Sequence, residues 1–462
     1  MISTPQSGTL VPLPATAIAE RRKRLAGAFG PRFFLLILVG LAWLGAAFHD
    51  PRFYYALAAW DGIVVMAWIL DQISLPQPKL LRMTRRWNSA AALSVANNIE
   101  LELENSSRIT LLATLIDNIP PHLRSDAPEL SVKCRGRSEA MATYKLTPTR
   151  RGDVELGAVY IRYQTPLRIA ERWAVAHVEQ KVCVYPNLDE ARQHSIYLIR
   201  SRQIEMEKRH ARIRGAGREF ESLREYQRGD EFRDICWTAA ARRGKLVTRL
   251  FQIERSQTIW LVVDAGRLMR ARIGALTKLD YAVNAALSLA EVALGTGDRV
   301  GLLAYGRGIQ KRMLPHRGNA HLRQMIQQLA HVREEGLEGD HLQAVSSLLS
   351  TQKRRSLVVW LTDFPETAMT PEVIDAASEA ASRHLVLFVV IGQPDLAALA
   401  ASEPDSVTKM YRTTAAQEAL HRREVLLAKL RQRGALAVEV SSAAASVTVV
   451  NSYLDVKARN LL

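Results

Sequence analysis

The stretch Ile259–Asp264, IWLVVD, decides the fold of the C-terminal half of the chain. Five apolar residues in succession leave no wet face, and the run ends in an acid. A strand that is apolar throughout belongs to a sheet covered on both sides. Downstream, Leu279, Ala282, Val283, Ala286, Leu287, Ala290, Ala293 and Leu294 recur every three or four residues. That is the spacing of a helix with one buried face, and Gly295 to Gly297 stop it. The alternation then repeats. Strands are expected at Val300–Tyr305, Leu357–Thr362, Leu385–Ile391 and Ala435–Val440. Helices are expected near His321–Leu329, His341–Leu349, Pro371–Ser382 and Ala415–Arg433. Strands alternating with helices predict a doubly wound α/β domain with a parallel sheet over residues 256–462.

In such sheets the ligand crevice lies beyond the carboxyl ends of the strands. Asp264 and Asp363 both fall at such ends. Two converging carboxylates suit a hard cation such as magnesium; equally, each is placed to cap the helix after its strand. The chain has no G-x-S-x-G elbow, no phosphate-binding P-loop and no HExxH. Gly295-Thr296-Gly297 does not follow a strand, so it is no dinucleotide loop.

Toward the N-terminus the period changes. In NIELELEN, Asn98–Asn105, Ile99, Leu101 and Leu103 alternate with Glu100, Glu102 and Glu104. Period two marks a strand with one solvated face. Leu111–Ile116, Ala142–Leu146, Val154–Leu156, Ala158–Tyr163 and Lys181–Tyr185 are further strands, separated by turn residues. Short strands with frequent turns predict a β-sandwich over residues 79–188. Nothing in it resembles a catalytic set.

Ahead of the sandwich lie two apolar runs, Phe33–Phe48 (FFLLILVGLAWLGAAF) and Phe53–Leu70 (FYYALAAWDGIVVMAWIL). A spanning helix takes about 20 apolar residues, so the first run needs its flanks. Together they predict a transmembrane helical hairpin over residues 31–75. Arg21, Arg22, Lys23 and Arg24 precede it, Lys79, Arg82, Arg85 and Arg86 follow it, and Arg52 alone sits in the turn. The positive-inside rule places both ends in the cytoplasm, with residues 1–30 as a tail and the protein in the cytoplasmic membrane as a two-pass chain. Asp61 is either an intramembrane functional acid or an acid at a membrane face or helix seam. A two-helix anchor has little interior, which favours the second.

Lys and Arg outnumber Asp and Glu by 62 − 46 = +16. Such an excess favours acidic partners: anionic lipid, nucleic acid or an acidic protein face. Residues 191–255 carry 16 basic and 9 acidic side chains, a net +7. No nucleic-acid-binding fold accompanies this charge. Cys134, Cys183 and Cys236 are isolated, which argues against a disulfide framework or zinc site.

The densest mixture of charge and aromatic residues is GREFESLREYQRGDEFRDICWTAAAR, Gly217–Arg242. It resembles the signature of the bacterial domain-of-unknown-function-58 family: G-x-E-F, L-R-x-Y, G-D, R-x-I-x-W and A-R. The order of segments is similar too. The resemblance implies paired membrane helices, a β-sandwich, a signature segment over residues 189–255 and a von Willebrand factor A-like domain. It further implies association with MoxR-type AAA+ ATPases, as a membrane-held adaptor or assembly factor acting on client proteins, with no established enzymatic activity. The rival functions are a metal-dependent enzyme using Asp264 and Asp363, and a structural envelope protein.

Within the signature, Glu219, Arg224, Tyr226, Asp230, Arg233, Trp237 and Arg242 are suited to a network of paired charges, with Phe220 and Leu223 apolar and Gly229 supplying a turn. Such a network is either an internal clasp between domains or a docking surface. The family-type metal loop, D-x-S-x-S, is here Asp264-Ala265-Gly266-Arg267-Leu268, with both serines missing and Arg267 adding a cation. Asp340 falls near the second loop and Asp363 resembles the later acid. The expected cofactor is therefore none, with magnesium the one ion that Asp264, Asp340 and Asp363 would hold, weakly.

Overall fold

A computed structural model describes residues 11–21, 27–47, 50–187, 219–227, 232–252, 257–364, 371–459 and 461. It divides into two compact units, Met1–Tyr185 and Pro186–Leu462.

The first unit holds strands β1 (Ala15–Ile18), β2 (Glu20–Arg21) and β3 (Ala28–Phe29), then helices α1 (Pro31–Ala47) and α2 (Phe53–Ser74). Nine strands follow: β4 (Leu81–Trp87), β5 (Asn97–Asn105), β6 (Leu111–Asp117), β7 (Glu129–Cys134), β8 (Ser138–Leu146), β9 (Gly152–Leu156), β10 (Val159–Gln164), β11 (Ala170–Ala176) and β12 (Gln180–Val184). One sheet runs β1-β4-β5-β8 and another β2-β11-β10-β6-β7, with β3 also on β11 and β9 paired to β12. Side chains from both sheets, among them Met83, Leu101, Leu115 and Ile161, share one core. The expected alternation in β5 holds: Ile99, Leu101 and Leu103 are fully buried, each stabilising by about 2 kcal/mol as an upper estimate. Their Glu neighbours face outward against β4, where Arg86 pairs with Glu102 at 2.9 Å.

Two expectations need correction here. Within the expected tail over residues 1–30, the described strands are part of the sandwich, while residues 1–10 and 22–26 lie outside the described residues. Ala15–Ile18 pairs in register with Arg82–Arg85, and Glu20–Arg21 and Ala28–Phe29 pair with β11. Nor does Arg85 belong to a solvated basic flank. In LRMTRRW it shares the inward phase of Leu81, Met83 and Trp87. Its guanidinium is fully buried, donating to the Asp117 carboxylate and to the carbonyls of Val178 (2.8 Å) and Gly157 (2.9 Å). Tyr144 donates to the same carboxylate at 2.7 Å. A buried charge is tolerated only when saturated in this way.

Among the described residues one helix, α2, with 22 residues, is long and apolar enough to cross a membrane; α1 has 17. Of the basic residues ahead of the hairpin, Arg22, Lys23 and Arg24 lie outside the described residues. Trp60 Nε1 donates to the Leu36 carbonyl at 3.0 Å and so ties the two helices together. Gly40 faces Trp60 and Asp61 across the same seam, where a Cβ would collide with the indole.

Among the described residues of the second unit, the first elements form a hairpin, β13 (Glu219–Glu225) and β14 (Val247–Gln252), carrying α3 (Trp237–Arg243) between its strands. After it come β15 (Thr258–Asp264), a short hairpin β16 (Arg272–Ile273) and β17 (Leu276–Thr277), α4 (Lys278–Gly295), β18 (Arg299–Tyr305), β19 (Ile309–His316), β20 (Leu357–Thr362), β21 (Leu385–Ile391) and β22 (Leu436–Val440). The sheet order is β19-β18-β15-β20-β21-β22, parallel throughout except β19. Trp260, Val262, Trp360 and Phe388 face helices His341–Thr351, Pro371–Arg383 and Val407–Gln432. α4 covers the other face and packs against helix Ala445–Ala458. The expected helices appear, with Ala415–Arg433 starting earlier because Ser406 caps it at Lys409. The antiparallel edge strand β19 and helices Pro394–Ala400 and Ala445–Ala458 were not expected.

Candidate functional site

β15 and β20 are neighbours and parallel, so their final acids meet at one sheet end. Asp264 Oδ2 accepts from Thr362 Oγ1 at 2.6 Å, and its Oδ1 accepts from the Gly266 amide at 2.8 Å. Burial pushes this carboxyl above the usual carboxylate range; His341, Thr362 and the Gly266 amide oppose the shift. Asp363 is bound differently. Its Oδ2 accepts from Lys278 Nζ at 2.5 Å, and its Oδ1 accepts from Arg423 at 2.7 Å and from the Phe364 amide at 2.9 Å. Arg423 also pairs with Glu439 at 2.9 Å. Asp340 caps helix His341–Thr351 through the Gln343 amide at 2.8 Å.

Lys278 is held at the first turn of α4 by a reciprocal capping box between Thr277 and Asp280. A cation at a helix N-terminus opposes the helix dipole, so the Asp363 carboxylate is what makes the position favourable. Nearby, the Trp360 indole donates to Tyr305 Oη at 2.8 Å, and Tyr305 Oη meets His341 Nδ1 at 2.7 Å. Burial and the adjoining Asp264 push the Tyr305 phenol well above its ordinary value.

The three acids are thus gathered at one end of the sheet, as their positions imply, but their oxygens serve the protein itself. A hard divalent ion needs several available oxygens. Here both Asp363 oxygens face internal cations, and Asp340 is engaged as a cap. These residues fit a divalent ion poorly. The cations responsible are Lys278 and Arg423, neither of which stood out in the sequence; Arg267 instead pairs at the surface with Glu338 at 2.9 Å. The one sequence signal for Lys278 was a charge on the first residue of an otherwise apolar helix face.

The signature forms its own module. β13 and β14 pair antiparallel, with an irregularity between Phe220 and Ser222. The intervening chain is pinned by Tyr226 N to Leu246 O (2.9 Å), Cys236 N to Val247 O (2.8 Å) and an Ile235–Thr248 bridge. α3 ends at Gly244, whose φ of 66° is the left-handed conformation that glycine adopts without strain. Leu223, Arg224 and Tyr226 are half-buried, and Arg242 is exposed. Tyr226 stacks toward Phe232 with ring centroids 6.1 Å apart. Trp237 is 65% exposed and Phe232 73%. Glu225 pairs with Lys245 at 3.0 Å at the surface. Only the backbone of Glu219, Phe220 and Arg233 is described, and Gly229 and Asp230 lie outside the described residues, as does all of 189–218.

Cys236, at the N-cap of α3, is the other group the sequence did not single out. The Thr238 hydroxyl, the Ala239 amide and Arg249 bring its thiol down to about 7. Burial pushes Cys183 up to about 12 and also raises Cys134.

Residues 222–425, which include most of this hairpin and the acid cluster as far as Arg423, match the family described as "Protein of unknown function DUF58". An uncharacterized protein of Mycobacterium tuberculosis is 30% identical over 186 residues, 39% of this chain and 57% of that protein. The uncharacterized protein YeaD of Bacillus subtilis is 27% identical over 203 residues, 42% of this chain and 46% of YeaD. The chain therefore spans about half the length of the curated relatives it matches. Together these matches support identifying the segment as DUF58. Among solved structures, the conserved hypothetical protein BatB from Bacteroides thetaiotaomicron aligns at 15% identity and TM-score 0.30, over 43% of this chain and 98% of BatB. Proximal thread matrix protein 1 from the mussel byssus aligns at 12% identity and TM-score 0.26, over 43% and 46%. Scores of that size carry no structural argument.

Proposed function

We propose that the chain is a membrane-anchored protein-interaction adaptor or assembly factor. Its α/β unit, read as von Willebrand factor A-like, grips proteins without turning them over, and α1 and α2 hold it at the cytoplasmic membrane with both soluble units on the cytoplasmic side. The observation that carries this reading is the exposure of Trp237 and Phe232 on a hydrogen-bonded hairpin inside the matched segment. Large aromatic side chains presented on an ordered scaffold are what protein interfaces use as anchors. The docking role of the signature is favoured over a clasp for that reason. The partner class, a MoxR-type AAA+ ATPase, comes from the family resemblance, as does its work on client proteins.

An enzyme built on Asp264 and Asp363 is the weaker reading. A catalytic carboxylate needs an open coordination or proton-transfer position, and Asp363 is committed to Lys278 and Arg423. In-cell crosslinking of the full chain, followed by identification of captured proteins, tests the proposal. Capture of a MoxR-type ATPase that is lost in Trp237→Ala and kept in Asp264→Asn supports it. Capture of envelope polymers or their enzymes alone, unchanged by Trp237→Ala, contradicts it.

A further inference from the structure

The apolar helices are joined to the sandwich without a stalk. At the start of α1 the Gly30 amide donates to the Ile169 carbonyl at 2.7 Å and the Arg32 amide to Arg168 at 3.3 Å. At the end of α2 the Asp71 carboxylate, 3% exposed, accepts from Thr165 Oγ1 (2.6 Å), Ile169 N (3.2 Å) and Ala170 N (2.8 Å). Arg172 donates to the carbonyl of Gln72 in the last turn of the same helix (3.0 Å) and to those of Leu75 (2.8 Å) and Pro76 (3.0 Å) just beyond it. One loop, residues 165–169, therefore touches both helix ends.

That loop is a built turn. Pro166 fixes its own backbone, the Arg168 amide closes on the Thr165 carbonyl at 3.1 Å, and Arg168 holds a left-handed φ of 58°. Arg32 Nη1 reaches the Leu167 carbonyl at 3.3 Å, and a Cβ on Gly30 would collide with the Arg168 carbonyl oxygen. For all this ordering, Pro166, Leu167 and Arg168 remain exposed, Leu167 at 57%. The same end of the helical hairpin carries an aromatic cluster. Phe29 stacks on Phe33 at 4.4 Å and packs on Trp68 at 4.8 Å. Aromatic rings gather at the membrane–water interface, where an apolar body and wet surroundings meet.

Resting on the reading that α1 and α2 lie in the bilayer, we propose that the Pro166–Arg168 turn is a lipid-docking surface. Leu167 enters the headgroup layer, and Arg168 and Arg32 meet the phosphates of anionic glycerophospholipids in the bilayer that holds the helices. The turn sits at the level where both helices leave the apolar phase, so it meets headgroups wherever the helices insert. Basic side chains at an anionic surface gain attraction that fades within a Debye length. The sandwich is then seated on the membrane at a fixed tilt.

The test uses the full chain with Cys134, Cys183 and Cys236 replaced by Ala, its fold checked by circular dichroism. Leu167→Cys, carrying an environment-sensitive fluorophore, is reconstituted in phosphatidylcholine vesicles with or without phosphatidylglycerol. Nitroxide is placed on the headgroup or deep in the acyl chain. Ile63→Cys on α2, a 64% exposed position, is labelled in parallel. Expected are loss of most Ile63 emission to the deep nitroxide and loss of most Leu167 emission to the headgroup nitroxide. The Leu167 loss should shrink without phosphatidylglycerol and in Arg168→Asn, which keeps the left-handed conformation accessible. Ile63 quenched with Leu167 untouched overturns the docking surface and leaves the helices in the bilayer. Ile63 unquenched overturns the membrane reading itself. Leu167 quenching equal in both lipids overturns the assignment of anionic headgroups.

Discussion

Lys278 donates from Nζ to Asp363 Oδ2 at 2.5 Å, and the two side chains are only 2% and 5% exposed. The pair joins the first turn of α4 to the end of β20, and Arg423 closes the other side of the carboxylate. Removing one member of a buried pair leaves a charge without its partner, at a cost of about 3–5 kcal/mol. Lys278→Met should fall at the low end, because Arg423 remains. Denaturant unfolding followed by the buried Trp260 and Trp360 reads the loss. Adding Asp363→Asn should recover part of it; strict additivity of the two changes would contradict the coupling.

The same pair accounts for the poor fit to a divalent ion. Lys278→Ser should free one Asp363 oxygen beside Asp264 and raise affinity for Mn²⁺ above that of the unsubstituted chain. Titration followed by the electron-spin signal of free Mn²⁺ checks this. Tight, saturable binding to the unsubstituted chain that disappears in Asp264→Ala would restore the enzyme reading.

Asp264 gives a pH dependence of definite sign. Burial raises its folded carboxyl above the unfolded value, so between the two values the folded state binds the extra proton. Its contribution is favourable below the unfolded value, about 3.9, and is lost as pH rises through the folded one. Asp264→Asn should flatten the fall in stability over that window. Denaturant midpoints measured across mildly acidic pH for both chains would show it, and parallel curves would contradict it.

The thiols should separate by pH. Cys236 is only 8% exposed, so its alkylation should be slow, but with its thiol at about 7 the profile should have its midpoint near neutrality, whereas Cys183, at about 12, should stay unreactive there. Arg249→Ala and Thr238→Val should each move the Cys236 midpoint upward, because each removes a group that favours the thiolate. Peptide mapping after timed alkylation follows each site separately.

How much of this could be read ahead differs by element. IWLVVD and LVVWLT announced themselves because a strand buried on both faces needs apolar residues at every position. NIELELEN was legible for the opposite reason, one wet face and one dry. LRMTRRW was not, because Arg85 sits in its apolar phase and only the distant Asp117 and Tyr144 make that tolerable. β2 and β3, at two residues each, take their conformation from β11 and have no pattern of their own. At the strand-end cluster the acids were visible and their partners were not. Lys278 lies 85 residues from Asp363, and Arg423 lies 60. Only the parallel register of β15 and β20 and the packing of two helices bring them together. In the signature the residue types were plain, but whether Trp237 faces in or out depended on how α3 is pinned to β14.

The central claim is that the signature hairpin is a protein-docking surface. It is tested most directly by the affinity of the purified full chain for a purified MoxR-type ATPase, with and without Trp237→Ala. An exposed aromatic anchor of this kind is worth about 2 kcal/mol or more, so binding should weaken at least about thirtyfold while the chain stays folded. Unchanged affinity in Trp237→Ala, or no measurable binding by the unsubstituted chain, would contradict it.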